Sequence, residues 1–541
     1  MTRYIISVLF VFLSGNLMSQ DQSVMSVQFD KPLYTAGEIV WFAIFRTDSG
    51  YFHQSREVIH FELFSPGNVS LYEGKVMMEG RLANGYFRLS SDLDEGYYRF
   101  RAFTLRSLTR GGEYIAADIP VYSEWREGLE VYKFEEVPGK KEEEPDVEID
   151  RKSSFYNTRD TVELKNLIDD PEKNWQYTFW VRPEEFGKFP SIKSEIRKVP
   201  QAIQLYSDFE IEDSLYLEAT LTAPDSDQGV TSTLISIYSS QKKEFYRSKA
   251  SDGRLSLKIP YYEGESTLQV FNLNPYQDAV GKLNVRNWVI GEGYYNSSKP
   301  TLTPEIAEYL IKAKQRRKVS DLFSTDVPKI VAPSDSGMAV PDLSFQMSEY
   351  RYINDLQDFI FEAIPGARIL KQEDGSTSTR LFNPERRAIF VDRPWFIVDG
   401  YLTSREEEVL KIPFKDMDEI KLYVHTATIR KYFEYFLWRN GIMEVTTNDV
   451  KYKRSLKSDP NYIDFQGFLQ AMNFLQSTDI SGDPNIPDLR TSMYWEAGHW
   501  LENKSTIVFP LSDDTGKFLY QFMAISESGE TVTKQGTLVV R

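Results

Sequence analysis

The sequence predicts a mainly β protein, built of serial immunoglobulin-like β sandwiches with one inserted α/β domain. Aromatic residues are abundant, with 32 Tyr, 35 Phe and 9 Trp, and most lie in the short alternating runs that are typical of half-buried strands. A chain of 541 residues is longer than one hydrophobic core supports, so we expect several domains. Cysteine is absent, and stability must therefore come from packed cores rather than from disulfides.

The sequence of residues 1–19 is typical of a secretory signal peptide. Arg3 is followed by an apolar run over 4–13, and a helix this short does not cross the roughly 30 Å hydrocarbon core of a bilayer. We expect cleavage after Ser19, with Gln20 as the first mature residue, and there is no cysteine to accept a lipid anchor. The prediction is an exported protein that is periplasmic or associated with the outer membrane.

Residues 20–125 predict one antiparallel sandwich. Strand-like runs alternate with turns such as DKPLYTAGE at 30–38 and PGN at 66–68, and this spacing is typical of a sandwich of about 100 residues. The charged stretch PGKKEEEPD at 138–146 then predicts a linker. The predicted strands are 24–29, 39–45, 58–64, 85–89 and 96–103.

Two further β regions follow, over 147–205 and 206–290. Both show short alternating runs, and the later one contains the turn SDG at 251–253. We expect two small sandwiches in series. The predicted strands are 161–164 and 176–181 in the first region, and 214–221, 233–238, 255–259 and 267–272 in the second.

The sequence of residues 302–345 predicts a helix followed by a flexible linker. The helix covers 304–319, and the basic cluster KQRRK at 314–318 lies at its end. The helix dipole favours cations at that position, although the cluster could instead bind an acidic partner. The segment 320–344 contains three prolines and no periodicity, which predicts the linker. The apolar face of the helix is formed by Ile306, Tyr309, Leu310 and Ala313.

Residues 346–452 predict the mixed α/β domain. Its first helix covers 353–363 and ends before Pro365-Gly366, and Ser404 with Glu407 predicts a capping box for a short helix. The last region, 485–541, returns to β and is marginal in size, so we expect it to pack on an earlier sandwich. The predicted strands are 388–391 and 395–398 as a pair, 419–424, 441–447, 492–495, 506–510, 518–525 and 536–540.

No motif for catalysis or cofactor binding is found in the chain. Without cysteine, thiolate metal sites, cysteine nucleophiles and an internal thioester are excluded. No HExxH, GxSxG, GxxxxGK[ST] or GxGxxG pattern occurs, and the acidic clusters at 406–408 and 416–419 are typical of solvated helix ends. We predict a protein that is not an enzyme, with no catalytic residue, no cofactor and no metal site. The four histidines are His53, His60, His425 and His499.

Several segments resemble the alpha-macroglobulin superfamily, and in particular its second macroglobulin domain. In that domain a D-K-P-x-Y-x-x-G-E turn, a later proline and glycine turn and a late G-x-Y strand recur together. The matching segments here are DKPLYTAGEIVWF at 30–42, FELFSPGN at 61–68 and DEGYYRF at 94–100. Weaker likenesses to later macroglobulin-type segments lie at 156–164, 490–495, 509–513 and 516–521.

The α/β domain resembles the plug domain of TonB-dependent outer-membrane receptors. The matching segments are IPG at 364–366, RPWFIVDG at 393–400, DEIKLYV at 418–424 and NGIMEVTT at 440–447. Because only 94 residues (541 − 447) follow Thr447, we expect a structural or docking module rather than part of a transporter. We also predict that 398–400 forms a strand end and turn, with Val398 buried and Gly400 in a conformation that a side chain would strain.

These resemblances imply a non-enzymatic binding or scaffold protein of the Gram-negative envelope that docks on an outer-membrane protein complex. The alternative is a non-covalent, macroglobulin-like endopeptidase inhibitor that uses 320–344 as bait, with proteases as partners; without cysteine it could not capture them covalently. A third hypothesis is an enzyme with an unrecognised site, and no motif in the sequence supports it. The formal charge of −17 makes nucleic acid a poor partner, and we expect no transmembrane segment.

Overall fold

The computed structural model describes most of the chain beyond its first 24 residues. The predicted signal peptide and the predicted linker at 138–146 lie outside the described residues. The described residues are 25–47, 56–110, 112–126, 129, 155–168, 174–205, 214–222, 232–240, 242–273, 282–286, 288, 290, 293–323, 339–350, 352–371, 377–448, 452, 462–477, 486–501 and 506–541.

Mainly antiparallel strands build the structure, as predicted for the fold class. The first sandwich is a curled sheet in the order β1-β3-β6-β5-β4-β7-β8-β11, with β2 paired in parallel to β8. Its inward side chains, which include Phe42, Phe61 and Phe100, form one apolar core. The elements are β1 Met25–Phe29, β2 Tyr34–Thr35, β3 Ile39–Arg46, β4 Arg56–Phe64, β5 Ser70–Glu79, β6 Leu82–Arg88, β7 Gly96–Thr104, α1 Leu105–Arg110, β8 Glu113–Tyr122 and β11 Ser194–Lys198.

The second sandwich joins two parts of the chain that are far apart in sequence. One sheet has the order β28-β10-β30-β31, and β29 pairs with β9. The regions predicted separately at 147–205 and 485–541 therefore share one core around Phe179, Phe509 and Phe522. The elements are β9 Thr161–Leu164, β10 Trp175–Pro183, β28 Tyr494–Trp500, β29 Ile507–Pro510, β30 Gly516–Ser526 and β31 Thr531–Val540.

The third sandwich is inserted between β10 and β28 of the second. Its seven strands have the order β17-β12-β15-β14-β13-β16-β27, in which β27 comes from a much later part of the chain. The elements are β12 Leu215–Thr222, β13 Ser232–Ser239, β14 Glu244–Ser251, β15 Arg254–Ile259, β16 Glu265–Asn272, β17 Lys282–Val285, β27 Tyr462–Gln466 and, after it, α6 Phe474–Ser477.

The α/β unit, residues 339–448, is in turn inserted between β17 and β27. Its five-stranded sheet has the order β18-β25-β26-β23-β24, and only the β23 and β26 pair is parallel. Two small hairpins, β19-β20 and β21-β22, lie outside this sheet. The elements are β18 Leu343–Gln346, α3 Leu356–Glu362, β19 Arg368–Lys371, β20 Thr377–Arg380, β21 Phe382–Asn383, β22 Ala388–Ile389, β23 Trp395–Val398, β24 Tyr401–Thr403, α4 Glu406–Val409, β25 Met417–Tyr423, α5 Thr426–Tyr432 and β26 Ile442–Thr447.

A long helix, α2 (Pro304–Phe323), precedes the α/β unit. Its predicted apolar face is confirmed, since Ile306, Tyr309, Leu310 and Ala313 pack in one cluster with first-sandwich side chains and with Phe186. Each large side chain buried in this way contributes roughly 1.5–3 kcal/mol. The helix is thereby fixed against both the first and the second sandwich.

The basic cluster at 314–318 does not lie at the end of the helix, which continues to Phe323. The prediction that it caps the helix dipole is therefore wrong. Arg316 pairs with Asp514 at 2.9 Å and Arg317 pairs with Glu124. Two of its cations are thus used inside the molecule.

The predicted linker at 320–344 is also shorter than expected. Residues 320–323 belong to α2, and 343–344 belong to β18. Residues 324–338, which make up most of that prediction, lie outside the described part of the chain.

Two local predictions in the α/β unit are wrong. Helix α4 does not begin with the predicted capping box. Its N-cap residue is Arg405 rather than Ser404, and Arg405 makes no side-chain cap hydrogen bond. The strands predicted as a pair at 388–391 and 395–398 have different partners, since β22 pairs with β21 and β23 pairs with β24 and β26. Pairing partners depend on the whole sheet and not on closeness in sequence.

Candidate functional site

The histidines have ordinary structural surroundings wherever the structure describes them. His60 is buried and its ring stacks on Phe103, while His425 Nδ1 lies 2.7 Å from Asp342 Oδ1. His499 lies 3.9 Å from Glu496, and His53 is outside the described residues. Among the described residues, no three His, Asp or Glu side chains are grouped so that they could hold a metal ion.

The turn at 30–38 forms a buried polar junction between the first and second sandwiches. Asp30 is 2% exposed, and its Oδ1 accepts hydrogen bonds from the Tyr34 hydroxyl at 2.6 Å and from the Trp41 N–H at 3.0 Å. Its Oδ2 accepts from the Ser492 hydroxyl at 3.0 Å. Burial raises the pKa of the Asp30 carboxyl, and neighbouring Lys31 opposes that shift. One side chain thus shapes the turn and also ties it to another domain.

The neighbouring Lys31 extends this junction. Its Nζ donates to Glu38 Oε1 at 2.7 Å and to Thr491 Oγ1 at 3.0 Å. The other oxygen of Glu38 accepts the Thr35 N–H at 2.7 Å. A buried ion pair such as Lys31 and Glu38 stabilises the fold only when the other hydrogen bonds of both side chains are also made. The contacts with Thr491 and Thr35 supply such hydrogen bonds.

The helix α2 reaches the same turn. Arg317 Nη2 donates to the Ala36 carbonyl oxygen at 2.6 Å. Gly37 has φ of +85°, and a Cβ at that position would displace the Arg317 guanidinium. The backbone conformation therefore favours the glycine of the D-K-P-x-Y-x-x-G-E pattern.

The α/β unit docks on the third sandwich along the edge strand β24. The Gln269 side chain donates through Nε2 to the Leu402 carbonyl oxygen and accepts from the Leu402 N–H, each at 2.7 Å. Gln269 is 3% exposed. One amide side chain thus satisfies a backbone donor and acceptor that an edge strand would otherwise leave open.

Two ion pairs reinforce the same interface. Lys243 Nζ lies 2.6 Å from Glu444 Oε1, and the Tyr423 hydroxyl donates to Glu444 Oε2 at 2.7 Å. Arg247 makes a bidentate contact with Glu434, with Nη2 to Oε2 at 2.7 Å and Nε to Oε1 at 2.8 Å. The side chains of both glutamates are at most 4% exposed. Each of these two buried carboxylates therefore meets a cation of the third sandwich.

The turn predicted at 398–400 lies at this interface. Val398 is fully buried, and Asp399 and Gly400 have φ of +48° and +83°, so the prediction is confirmed. Two successive residues with positive φ, in the order Asp-Gly, are typical of a two-residue hairpin turn. A Cβ on Gly400 would lie 2.5 Å from the Ser240 carbonyl oxygen of the third sandwich.

Other parts of the α/β unit expose large apolar side chains to solvent. Four of them are more than 65% exposed. The unit thus packs on the third sandwich with one side and exposes apolar groups to water on other surfaces. The four are Val340, Tyr352, Phe361 and Val391.

Glu62 is an unusual buried acid on the face of the first sandwich that meets the third. It is 2% exposed, and burial raises its pKa from an ordinary value near 4.5 to about 8, although Arg101 opposes the shift. On the same face, Lys75 donates to the Gln466 carbonyl oxygen at 2.8 Å, and burial lowers its pKa to about 8. Because burial shifts the pKa of both groups, the stability of the packing between these two sandwiches depends on pH.

We expect Glu62→Gln to remove part of the pH dependence of stability. The folded chain holds the Glu62 proton up to about pH 8, whereas the unfolded chain loses it near pH 4.5, so the wild type loses stability as pH rises between these values. As pH rises from 5 to 8, the free energy of unfolding of the variant should increase by about 2 to 3 kcal/mol relative to that of the wild type. Urea denaturation at both pH values measures this difference. Exposed Glu362 on α3 gives the control Glu362→Gln, and an equal gain in both variants would contradict the assignment.

Comparisons with known proteins give weak structural likenesses. No protein family matches the sequence, and no curated protein does so. Similar solved structures include native Escherichia coli alpha-2-macroglobulin, at 11% identity and TM-score 0.25 over 97% of this chain and 40% of that one. A Salmonella alpha-2-macroglobulin mutant is 10% identical, with TM-score 0.25 over 96% of this chain and 39% of that one. The chain spans about two fifths of their length, and at these TM-scores the likeness supports no functional argument.

Sequence reasoning found the turn at 30–38 but not the residues that dock the α/β unit. Gln269, Lys243 and Arg247 lie in two strands and a turn of ordinary composition, and nothing in the sequence distinguishes them. Glu444 carries a faint signal, because it is a single acid inside the apolar strand β26. A charge at such a position predicts a buried partner.

Proposed function

We propose that this chain is a non-enzymatic binding or scaffold protein of the Gram-negative envelope, in which macroglobulin-type sandwiches hold a plug-like α/β unit for contact with an outer-membrane protein. The predicted signal peptide and the resemblances described above support export and this location. No helix among the described residues has the length and apolar character needed to span a membrane.

The observation that carries the proposal is the two-sided environment of the α/β unit. Its contact with the third sandwich includes two hydrogen bonds to the edge residue Leu402 and two paired carboxylates. Its apolar side chains at Tyr352, Phe361 and Val391 remain in water. A unit held firmly on one side, with apolar groups exposed elsewhere, fits presentation to a partner.

Cross-linking the tagged full chain in intact cells tests the proposal. We expect an outer-membrane protein to co-purify with wild type, and its recovery to fall several-fold for a variant that carries Phe361→Glu and Val391→Glu, because charged groups resist burial in an apolar contact. The matched control carries Val69→Glu and Tyr295→Glu, at residues of the sandwich side that are 60% and 80% exposed. Equal losses in both variants, or no outer-membrane protein at all, would refute the proposal.

An endopeptidase inhibitor is the alternative, and it depends on a cut within the predicted bait. The ends of that segment belong to α2 and β18, which narrows the bait to 324–342. After such a cut the fragments would still share strands in the second and third sandwiches. If the activity of an added protease fell in step with cleavage at 324–342, inhibition would replace the scaffold proposal.

A further inference from the structure

The α/β unit carries a basic surface, although the net charge of the chain is negative. Two stretches of the unit, 383–393 and 425–440, together contain six Lys or Arg residues and three acids, whereas the whole chain has a formal charge of −17. These six cations form what we call the basic surface, and all but Arg393 are exposed. They are Arg386, Arg387, Arg393, Arg430, Lys431 and Arg439.

Side-chain hydrogen bonds bring the two stretches together. Asn383 Nδ2 donates to Thr426 Oγ1 at 2.9 Å, and the Thr426 N–H donates to Glu385 Oε2 at 3.0 Å. These bonds place the β21–β22 turn, which carries the first two cations, beside the start of α5. Arg430 lies four residues after Thr426 and therefore on the same face of α5.

The segment that follows α5 continues this surface. The Arg430 guanidinium lies over the Trp438 ring, 5.2 Å from its centroid. Asn440 Nδ2 donates to the Arg393 carbonyl oxygen at 2.6 Å. The basic surface thus joins a turn, a short helix and the segment that precedes β26.

The acids near the basic surface offset only part of its charge. Glu434 is buried in its ion pair with the third sandwich, and Glu385 bonds the first amide of α5. Asp342, which lies outside the two stretches, is only 6% exposed. Asp392 lies 3.6 Å from Arg439, in a pair so exposed that it contributes little. Among the described residues no acid forms an ion pair with the other four exposed cations, which are Arg386, Arg387, Arg430 and Lys431.

An exposed apolar side chain adjoins these cations. Val391 is 67% exposed and lies two residues before Arg393. At physiological ionic strength, exposed charges more than about 8 Å apart are largely screened from one another, so the acidic surplus elsewhere in the chain does not cancel a local group of cations. Cations with an apolar neighbour suit the headgroup region of an anionic membrane, where the charges meet phosphates and the apolar group leaves water.

We propose that the basic surface binds the anionic phosphate headgroups of a membrane, through α5 and the β21–β22 turn. The cations lie on three separate elements. A layer of headgroups accommodates cations at any spacing, whereas an acidic protein would have to match their positions. This inference goes beyond the proposed function, because it gives the α/β unit a lipid surface as a further partner.

Vesicle binding tests the proposal directly. The probe is a vesicle of phosphatidylglycerol and phosphatidylethanolamine in equal parts, mixed with the full mature chain and separated by flotation. Each cation near a negative membrane surface strengthens binding about fivefold. We therefore expect saturable binding that weakens as salt is added, and binding at least about tenfold weaker to vesicles of phosphatidylcholine alone.

Variants of the protein complete the test. The double variant Arg386→Gln and Lys431→Gln removes one cation from the turn and one from α5, and should weaken binding to the anionic vesicles at least about tenfold. The matched control, Lys193→Gln and Lys517→Gln, removes two exposed cations next to β11 and in β30 and should bind like wild type. Equal binding by the two variants, equal binding to the two kinds of vesicle, or no binding at all would overturn the inference.

Three outcomes separate this inference from the proposed function. If no vesicle binds but co-purification still depends on Phe361 and Val391, the lipid contact is wrong and the proposed function stands. If the anionic vesicles bind through the basic surface and no outer-membrane protein co-purifies, the lipid contact stands and the proposed function is wrong. If the Arg386 and Lys431 variant loses a co-purifying protein while wild type binds no vesicle, the cations meet an acidic protein, and the inference is wrong.

Discussion

Replacing Gly400 by valine is expected to lower the free energy of unfolding by about 3 to 5 kcal/mol. Gly400 has φ of +83°, and its missing Cβ would lie 2.5 Å from the Ser240 carbonyl oxygen. A β-branched side chain is strained at positive φ, and the atom it meets is backbone of another domain, which a side-chain rotation does not move. The change should therefore also separate the α/β unit from the third sandwich.

Urea denaturation measures the loss of stability, and hydrogen exchange at the Leu402 amide, which bonds to Gln269, reports the interface. The control is Gly516→Val, because Gly516 has φ of +131° with no atom within 4 Å of its Cβ position. It should lose only the backbone strain of about 1 to 3 kcal/mol. If the two variants were equally stable and the Leu402 amide stayed protected in both, the close contact with Ser240 would have no energetic weight.

Local patterns in the sequence were enough to predict most individual strands. The alternating run at 255–259 became β15, and the helix-period stretch after Pro304 became α2. These features depend on neighbouring residues, because period 2 or 3.6 decides which face is buried. The Asp399-Gly400 turn was predicted for the same reason, since positive φ at both positions depends on residue type.

The assembly of strands into domains was not predictable in this way. β10 pairs with β30 in a register that places Gln176 opposite Ile525, and β16 pairs with β27 although the whole α/β unit lies between them. A strand pattern states that one face is buried but not which strand lies beside it. The nested insertions therefore become visible only in the complete structure.

The interface residues were missed for an electrostatic reason. A glutamate such as Glu434 is expected at the surface, because charged side chains are rarely buried without a partner. The partners of Glu434 and Glu444 lie about 200 residues earlier, at separations of 187 and 201. Only the tertiary structure shows that these acids are buried and paired.

Asp30→Ala is expected to destabilise the chain by about 3 to 5 kcal/mol. The substitution removes the acceptor for the Tyr34 hydroxyl, the Trp41 N–H and the Ser492 hydroxyl, all in a buried site. A buried donor left without a partner costs about 1 to 3 kcal/mol. Because Ser492 belongs to the second sandwich, we also expect that sandwich to become more sensitive to limited proteolysis.

The matched comparison separates the junction from a general effect of losing an aspartate. Asp30→Asn keeps the shape and one acceptor oxygen and should lose about half as much as Asp30→Ala. Asp92→Ala, at an exposed turn of the same sandwich where Asp92 accepts from Ser90, should leave the free energy of unfolding nearly unchanged. The three variants are compared by urea denaturation and by the rate of cleavage near Ser492. If Asp30→Ala were as stable and as resistant to protease as Asp92→Ala, the turn at 30–38 would be a feature of the first sandwich alone, and its contacts with the second would be incidental.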